Sequence, residues 1–142
     1  MRFMALSCLL SLFSLSASAE SLALENLSPE SLCQGTVVEF NRRGSNDIFL
    51  QCDRWIEGQT TGSHLKSYVP NNAPTPSTLG LVQGAKAADI VTFEKVVFSN
   101  GQEIVVGYET TYIFFEGKSL NSTIKINYNL DGQIVYLHIS SF

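Results

Sequence analysis

The C-terminal half of the chain contains Asn100-Gly101 and Asp131-Gly132, each set between long runs of β-branched and aromatic residues. Asn-Gly and Asp-Gly favour the centre of two-residue hairpins because both central residues there need positive φ. The runs Ile90 to Phe98, Gln102 to Phe115, Leu120 to Leu130 and Gln133 to Phe142 are therefore expected to form a four-stranded antiparallel meander. Centring the last hairpin on Asp131-Gly132 pairs Tyr128 with Val135, Ile126 with Leu137 and Ile124 with Ile139 on one face. Asn127 with Tyr136 and Lys125 with His138 fall on the other. Centring the earlier hairpin on Asn100-Gly101 pairs Val97 with Ile104 and Phe93 with Tyr108. For the apolar faces to agree across Glu116-Gly117-Lys118, that connection should be a three-residue loop with Gly117 left-handed and Phe114 near Leu120.

The segment from Ser28 to Gly58 fits two periods. Cys33, Val37 and Phe40, and then Ile48, Cys52, Trp55 and Ile56, recur at helical spacing, with Ser28-Pro29 as cap and first residue. Read as strands, Val38 to Phe40 and Ile48-Leu50-Cys52 alternate, and Thr36-Val37-Val38 is β-favouring. Two helices are the expectation, with a β-hairpin as the alternative. Either way the chain doubles back near Arg42-Arg43 and sets Cys33 beside Cys52. Pro70 to Pro76 reads as an irregular surface loop, and Leu79 to Ala88 as a short third helix weakened by Gly80 and Gly84.

At the N-terminus, Arg2, the apolar run Phe3 to Leu15 and the small-residue pattern Ala17-Ser18-Ala19 together have the form of a cleavable export signal. The expected organisation is a signal peptide over 1–19 and a single globular domain over 20–142, periplasmic or secreted. Removing the signal removes Cys8. Cys33 and Cys52 are then expected to form a disulfide in an oxidising compartment. The chain has thirteen acidic against nine basic residues, and cleavage removes one of the bases. This balance argues against a nucleic-acid or anionic-membrane partner.

Two helices, a weak third and a meander ending in an aspartate-glycine turn resemble the order of elements in the NTF2-like superfamily, which includes SnoaL-like and ketosteroid-isomerase-like proteins. Phe40 to Leu50 resembles the break between that family's first two helices, and Leu130 to Leu137 its last hairpin. The resemblance implies an α+β fold, with N-terminal helices packed on a curved four-stranded antiparallel meander. The alternative is an all-β OB-like barrel. Isomerase-like members carry a base aspartate just after the second helix, where this chain has Trp55-Ile56-Glu57-Gly58.

The inventory for chemistry is short. His64 and His138 are isolated from each other and from the cysteines, so no metal site or cofactor is expected. Glu57 and Glu109 are the only candidates for cofactor-free acid/base work, and each would need burial in an apolar cavity. Trp55, Tyr108, Tyr112 and Tyr128 are candidates for lining a ligand cavity between sheet and helices, although ordinary core packing accounts for the same residues. The expected function is a non-catalytic binding module for a small apolar molecule or an exoplasmic protein. An NTF2-like isomerase or lyase is one alternative. A secreted all-β inhibitor or immunity-type protein is another, and it follows if Thr36 to Trp55 is β. Val105, Ile113 and Phe115 on the exposed face of the meander would support a homodimer.

Overall fold

The computed structural model describes residues 23–44, 47–54, 60–68, 72–82 and 89–142; the signal segment, Trp55 and Glu57 lie outside them. Seven strands form one antiparallel sheet: β1 (Val37–Arg43), β2 (Asp47–Cys52), β3 (Gly62–Lys66), β4 (Asp89–Ser99), β5 (Gln102–Glu116), β6 (Ser119–Asn129) and β7 (Ile134–Ser141). Their order in space is β1-β2-β7-β6-β5-β4-β3, so β1 and β3 are the two edges. Among the described residues a 3₁₀ turn (Leu24–Asn26) and one short helix, α1 (Pro29–Cys33), complete the regular structure. The expected meander is present as β4 to β7.

The fold class is not the expected α+β arrangement, and the sheet, open at β1 and β3, is not an OB-like barrel either. Helix α1 does begin at Pro29 after Ser28, but Gln34 turns left-handed (φ 51°) and ends it after five residues. The two-helix segment beyond is instead the hairpin β1–β2. The physical reason lies in β7, whose outer backbone groups need partners. β2 supplies them, placing Ile48 against Ile139 and Leu50 against Leu137. Ile48, Leu50 and Cys52 are all buried, and the intervening residues are half-exposed, as a period of two requires.

Registers in the meander show how tight turns and bulges compensate. Asn100 (φ 54°) and Gly101 (φ 76°) form the expected two-residue turn, and Val97 pairs with Ile104. A bulge at Val106 then shifts the ladder, so Phe93 faces Glu109 rather than Tyr108. Glu116 pairs with Ser119 across a two-residue turn, not a three-residue loop, and Leu120 lies opposite Phe115 rather than Phe114. The extra residue needed to align the apolar faces is Asn121, which is bulged, so Tyr112 meets Ile124 as the faces demand. In the last hairpin Asn129 closes on Gln133 around three residues, with only Gly132 at positive φ in the turn. Tyr128 therefore faces Ile134, not Val135, and Val135 bulges to restore Ile126–Leu137 and Ile124–Ile139. One bulge on the returning strand of each of the three meander hairpins adds local twist and curls the sheet.

The concave core holds Ile48, Leu50, Ile124, Ile126, Tyr128, Leu137 and Ile139, all fully buried. Its cover is irregular chain. The Ala23 N–H donates to the Leu81 carbonyl (2.8 Å), and Ala73, Leu81 and Val82 are buried in the same cluster. Residues 76–80 are turns, so the described part of the expected third helix is not helical. Tyr128 donates its hydroxyl to the Pro74 carbonyl, and Asn72 Nδ2 donates to the Asp131 carbonyl at 2.9 Å. These bonds dock the proline-rich stretch onto the β6–β7 turn.

Gly132 marks that docking point, because a Cβ there would lie 2.9 Å from Asn72 Nδ2 in a backbone at φ +81°. Gly117 has a similar φ of +64° but nothing within 4 Å. Gly117→Ala is expected to cost about 1 kcal/mol in urea unfolding from backbone strain alone. Gly132→Ala should cost about 1 kcal/mol more, since Asn72 must also leave its hydrogen bond. Equal losses would mean that Asn72 does not hold the turn.

Candidate functional site

Side chains alternate across the sheet, so the face opposite the core gathers Phe49 from β2, Tyr136 and His138 from β7, Lys125 and Asn127 from β6, Glu109 from β5 and Lys95 from β4. The buried cover residues Ala73, Leu81 and Val82 pack in the core cluster on the other side. Phe49 stacks obliquely on Tyr136 (centroids 5.9 Å) and meets His138 edge-on (6.3 Å).

Glu109 is the hub of this face. Its Oε2 accepts from Lys95 Nζ at 3.2 Å, Asn127 Nδ2 at 3.3 Å and the Tyr136 hydroxyl at 3.4 Å. The four residues come from four consecutive strands, so the cluster clamps β4, β5, β6 and β7 together. A general base works best with its carboxylate away from a cation that stabilises the charged form. Here Oε2 faces the Lys95 ammonium and two further donors, with the Glu109 side chain 14% exposed. Burial, reinforced by the adjacent Glu109 charge and hydrogen bond, pushes the Tyr136 hydroxyl up to about 12.

His138 Nε2 lies 2.6 Å from Asp47 Oδ1 and 3.5 Å from Ser140 Oγ. These residue types suggest a hydrolase triad, but the geometry does not make one. A triad histidine uses one nitrogen for the serine and the other for the carboxylate, whereas both neighbours here address Nε2. Beside this pair is a depression of about 230 Å³ lined by Asn41, Arg43, Asp47, Phe49 and His138. A second, of about 280 Å³, lies between α1, the cover and the β6–β7 turn, lined in part by Ser31, Gln34, Asn72, Leu79 and Gln133.

The expected site residues divide between the faces. Tyr108 and Tyr128 pair across β5 and β6 on the core side, with Tyr112 four residues further along β5 on the same side. Tyr128 is fully buried, Tyr112 is buried and Tyr108 packs against the core cluster. Burial raises both the Tyr112 and Tyr128 hydroxyls above the ordinary tyrosine range. Neither depression includes these three tyrosines. Glu109 is on the opposite face from them. Cys33 and Cys52 are joined in a buried disulfide, consistent with an oxidising, extracytoplasmic location. His64 pairs with Glu103 at 2.6 Å near the β3 edge, and no group of three metal-ligating side chains occurs among the described residues. Of the residues suggested for a dimer, Ile113 and Phe115 share the open face, while Val105, beyond the Val106 bulge, points to the other.

Phe49, Asp47 and Arg43 are the residues the sequence did not flag. The pairings Asn127–Tyr136 and Lys125–His138 already assembled half of this face. The missing half required reading β1 and β2 as strands. No family model, curated protein or solved structure matches the chain.

Proposed function

We propose that this chain is an exported, non-catalytic interaction protein of the inhibitor or immunity kind, periplasmic or secreted, which docks an exoplasmic protein on the open sheet face. The observation that carries the reading is the state of the polar groups on that face. Glu109 Oε2 is tied to three donors and His138 Nε2 to Asp47, so these groups are engaged with one another across the strands. A depression of about 230 Å³ is smaller than the roughly 300–1,000 Å³ of small-molecule sites. It has room for one side chain of a partner. Phe49 and Tyr136 provide aromatic surface of the kind that anchors interfaces. Lys125, next to His138 in register and without an ion-pair partner among the described residues, adds a cation for an acidic group on the partner. The β character of β1 and β2 favours this reading over the isomerase alternative, and so does the engagement of the Glu109 carboxylate.

The test is photocrosslinking in the native compartment from a reactive residue placed at Thr111 or Ile113, with exposed Leu130 as control. A discrete protein adduct from the first two positions, weakened when the cation is reversed by Lys125→Glu in the Thr111-labelled protein, is the expected result. No adduct, or the same adduct from Leu130, would remove the proposal.

A further inference from the structure

Edge strands expose a row of backbone donors and acceptors, and most are short, bulged or otherwise protected. β1 is seven residues long and carries a bulge at Val38, but beyond it residues 39–43 pair with β2 without a break and are exposed on both faces. Val38 is 56% exposed and Phe40 39%. Glu39, Asn41 and Arg43 point to the open face and Phe40 and Arg42 to the other, as their β2 partners require. Neither Glu39 nor Arg43 has an ion-pair partner among the described residues. They are four residues apart on one strand, about 13 Å, too far to reach each other.

We propose that β1 pairs with β1 of a second copy of this chain, antiparallel about a twofold axis through Asn41. The register follows from the faces and the charges together. A twofold axis perpendicular to the sheet keeps each face continuous only if it passes through a residue. Centring on Asn41 places Glu39 of each copy opposite Arg43 of the other, making two cross-strand ion pairs on the open face. It also sets Arg42 of each copy against the ring of Phe40 in the other, an arrangement suited to cation–π contact. Centring on Phe40 instead would set Glu39 opposite Asn41 and leave both charges unmatched. Asn41 Nδ2 donates to Glu39 Oε1 at 2.6 Å, which holds that carboxylate on the face where the partner's arginine arrives. The opposing reading is that Arg42 and Arg43 guard the edge against pairing. Like charges would do that equally well without Glu39 at the complementary position. The dimer shares Asn41 and Arg43 with the depression offered to the protein partner above, but its register is read from β1 alone and is tested on the purified protein without that partner.

A single strand pair buries less than a standard interface, so the association should be weak, with a dissociation constant on the order of 10–100 µM. Sedimentation equilibrium on the purified protein from about 1 µM to 1 mM spans that range. Wild type should dimerise. Glu39→Arg and Arg43→Glu should each weaken it about tenfold or more, by placing like charges opposite one another. The double variant should restore it, because the swapped charges meet again across the axis. A monomer throughout the range would overturn the proposal, and so would single variants that associate like wild type or a double variant no better than the singles. As a separate reading of register, mild oxidation of Asn41→Cys should give a covalent dimer, since antiparallel partners on the axis are about 4.5–5.5 Å apart at Cα. A covalent dimer from Phe40→Cys in its place would also overturn it.

Discussion

Replacing Cys33 and Cys52 together by alanine is expected to lower unfolding stability by about 3 kcal/mol, the loop-entropy value for a closed loop of roughly twenty residues. The bond joins α1 to the end of β2 with the cysteine Cα atoms 5.2 Å apart, and both cysteines are buried. What it secures is disproportionate to its length of chain. α1 is only five residues, too short to be stable as a helix by itself, yet it presents Leu32 to the core. Without the link, Leu32 must be held by packing alone, and the N-terminal cover should open before the sheet does. Urea unfolding of the double alanine variant should show a lower midpoint. Amide exchange should show protection lost first over residues 23–36, while β6 and β7 stay protected. A variant within about 0.5 kcal/mol of wild type would show that the staple is redundant.

That dependence also explains how much of the molecule could be read beforehand. The four strands of the meander were legible because Asn-Gly and Asp-Gly fix turns and alternation fixes faces. Parity carried the argument correctly even where the device differed: the residue needed at the Gly117 connection was supplied by Asn121 as a bulge, not by a longer loop. β1 and β2 were not legible from period alone. Ile48 and Cys52 are four apart, a spacing that one helical turn and two strand repeats both satisfy. The choice was made by β7, whose free edge needed a strand. The cover was opaque for a different reason. Ala73, Leu81 and Val82 are buried from irregular chain, which has no periodicity to detect. The Glu109 cluster shows the cost of one unseen bulge. In the unbulged register Lys95 would face Val106, on the side of Tyr108 and away from Glu109. With Val106 bulged, Lys95 faces Gly107 and comes onto the face of Glu109. A single inserted residue therefore turned a candidate base into a cross-strand clamp.

Alkaline pH should unfold this protein steeply, and its buried tyrosines set the sign. Burial, the largest cause, raises both the Tyr112 and Tyr128 hydroxyls. A tyrosine in the unfolded chain ionises near pH 10, so below that both states are protonated and the contribution to stability is complete. Above pH 10 the unfolded chain releases protons that the folded protein retains, and stability falls until the folded-state values are reached. Each such tyrosine contributes at most about 1.4 kcal/mol per pH unit, so the pair contributes about 2.7. Tyr136 is also raised, but it lies on the open face and solvent screening reduces its share. Of the five tyrosines, Tyr112 and Tyr128 should therefore be silent in a tyrosinate absorbance titration until the fold is lost. Tyr128→Phe separates this effect from general alkaline loss. It gives up the hydrogen bond to the Pro74 carbonyl, costing about 1 kcal/mol near neutrality, but it should also halve the buried-tyrosine part of the slope above pH 10. Lysine deprotonation is common to both proteins and cancels in the comparison. Equal slopes for wild type and Tyr128→Phe, or all five tyrosines titrating near pH 10 in the folded protein, would show that water reaches the core face at this point.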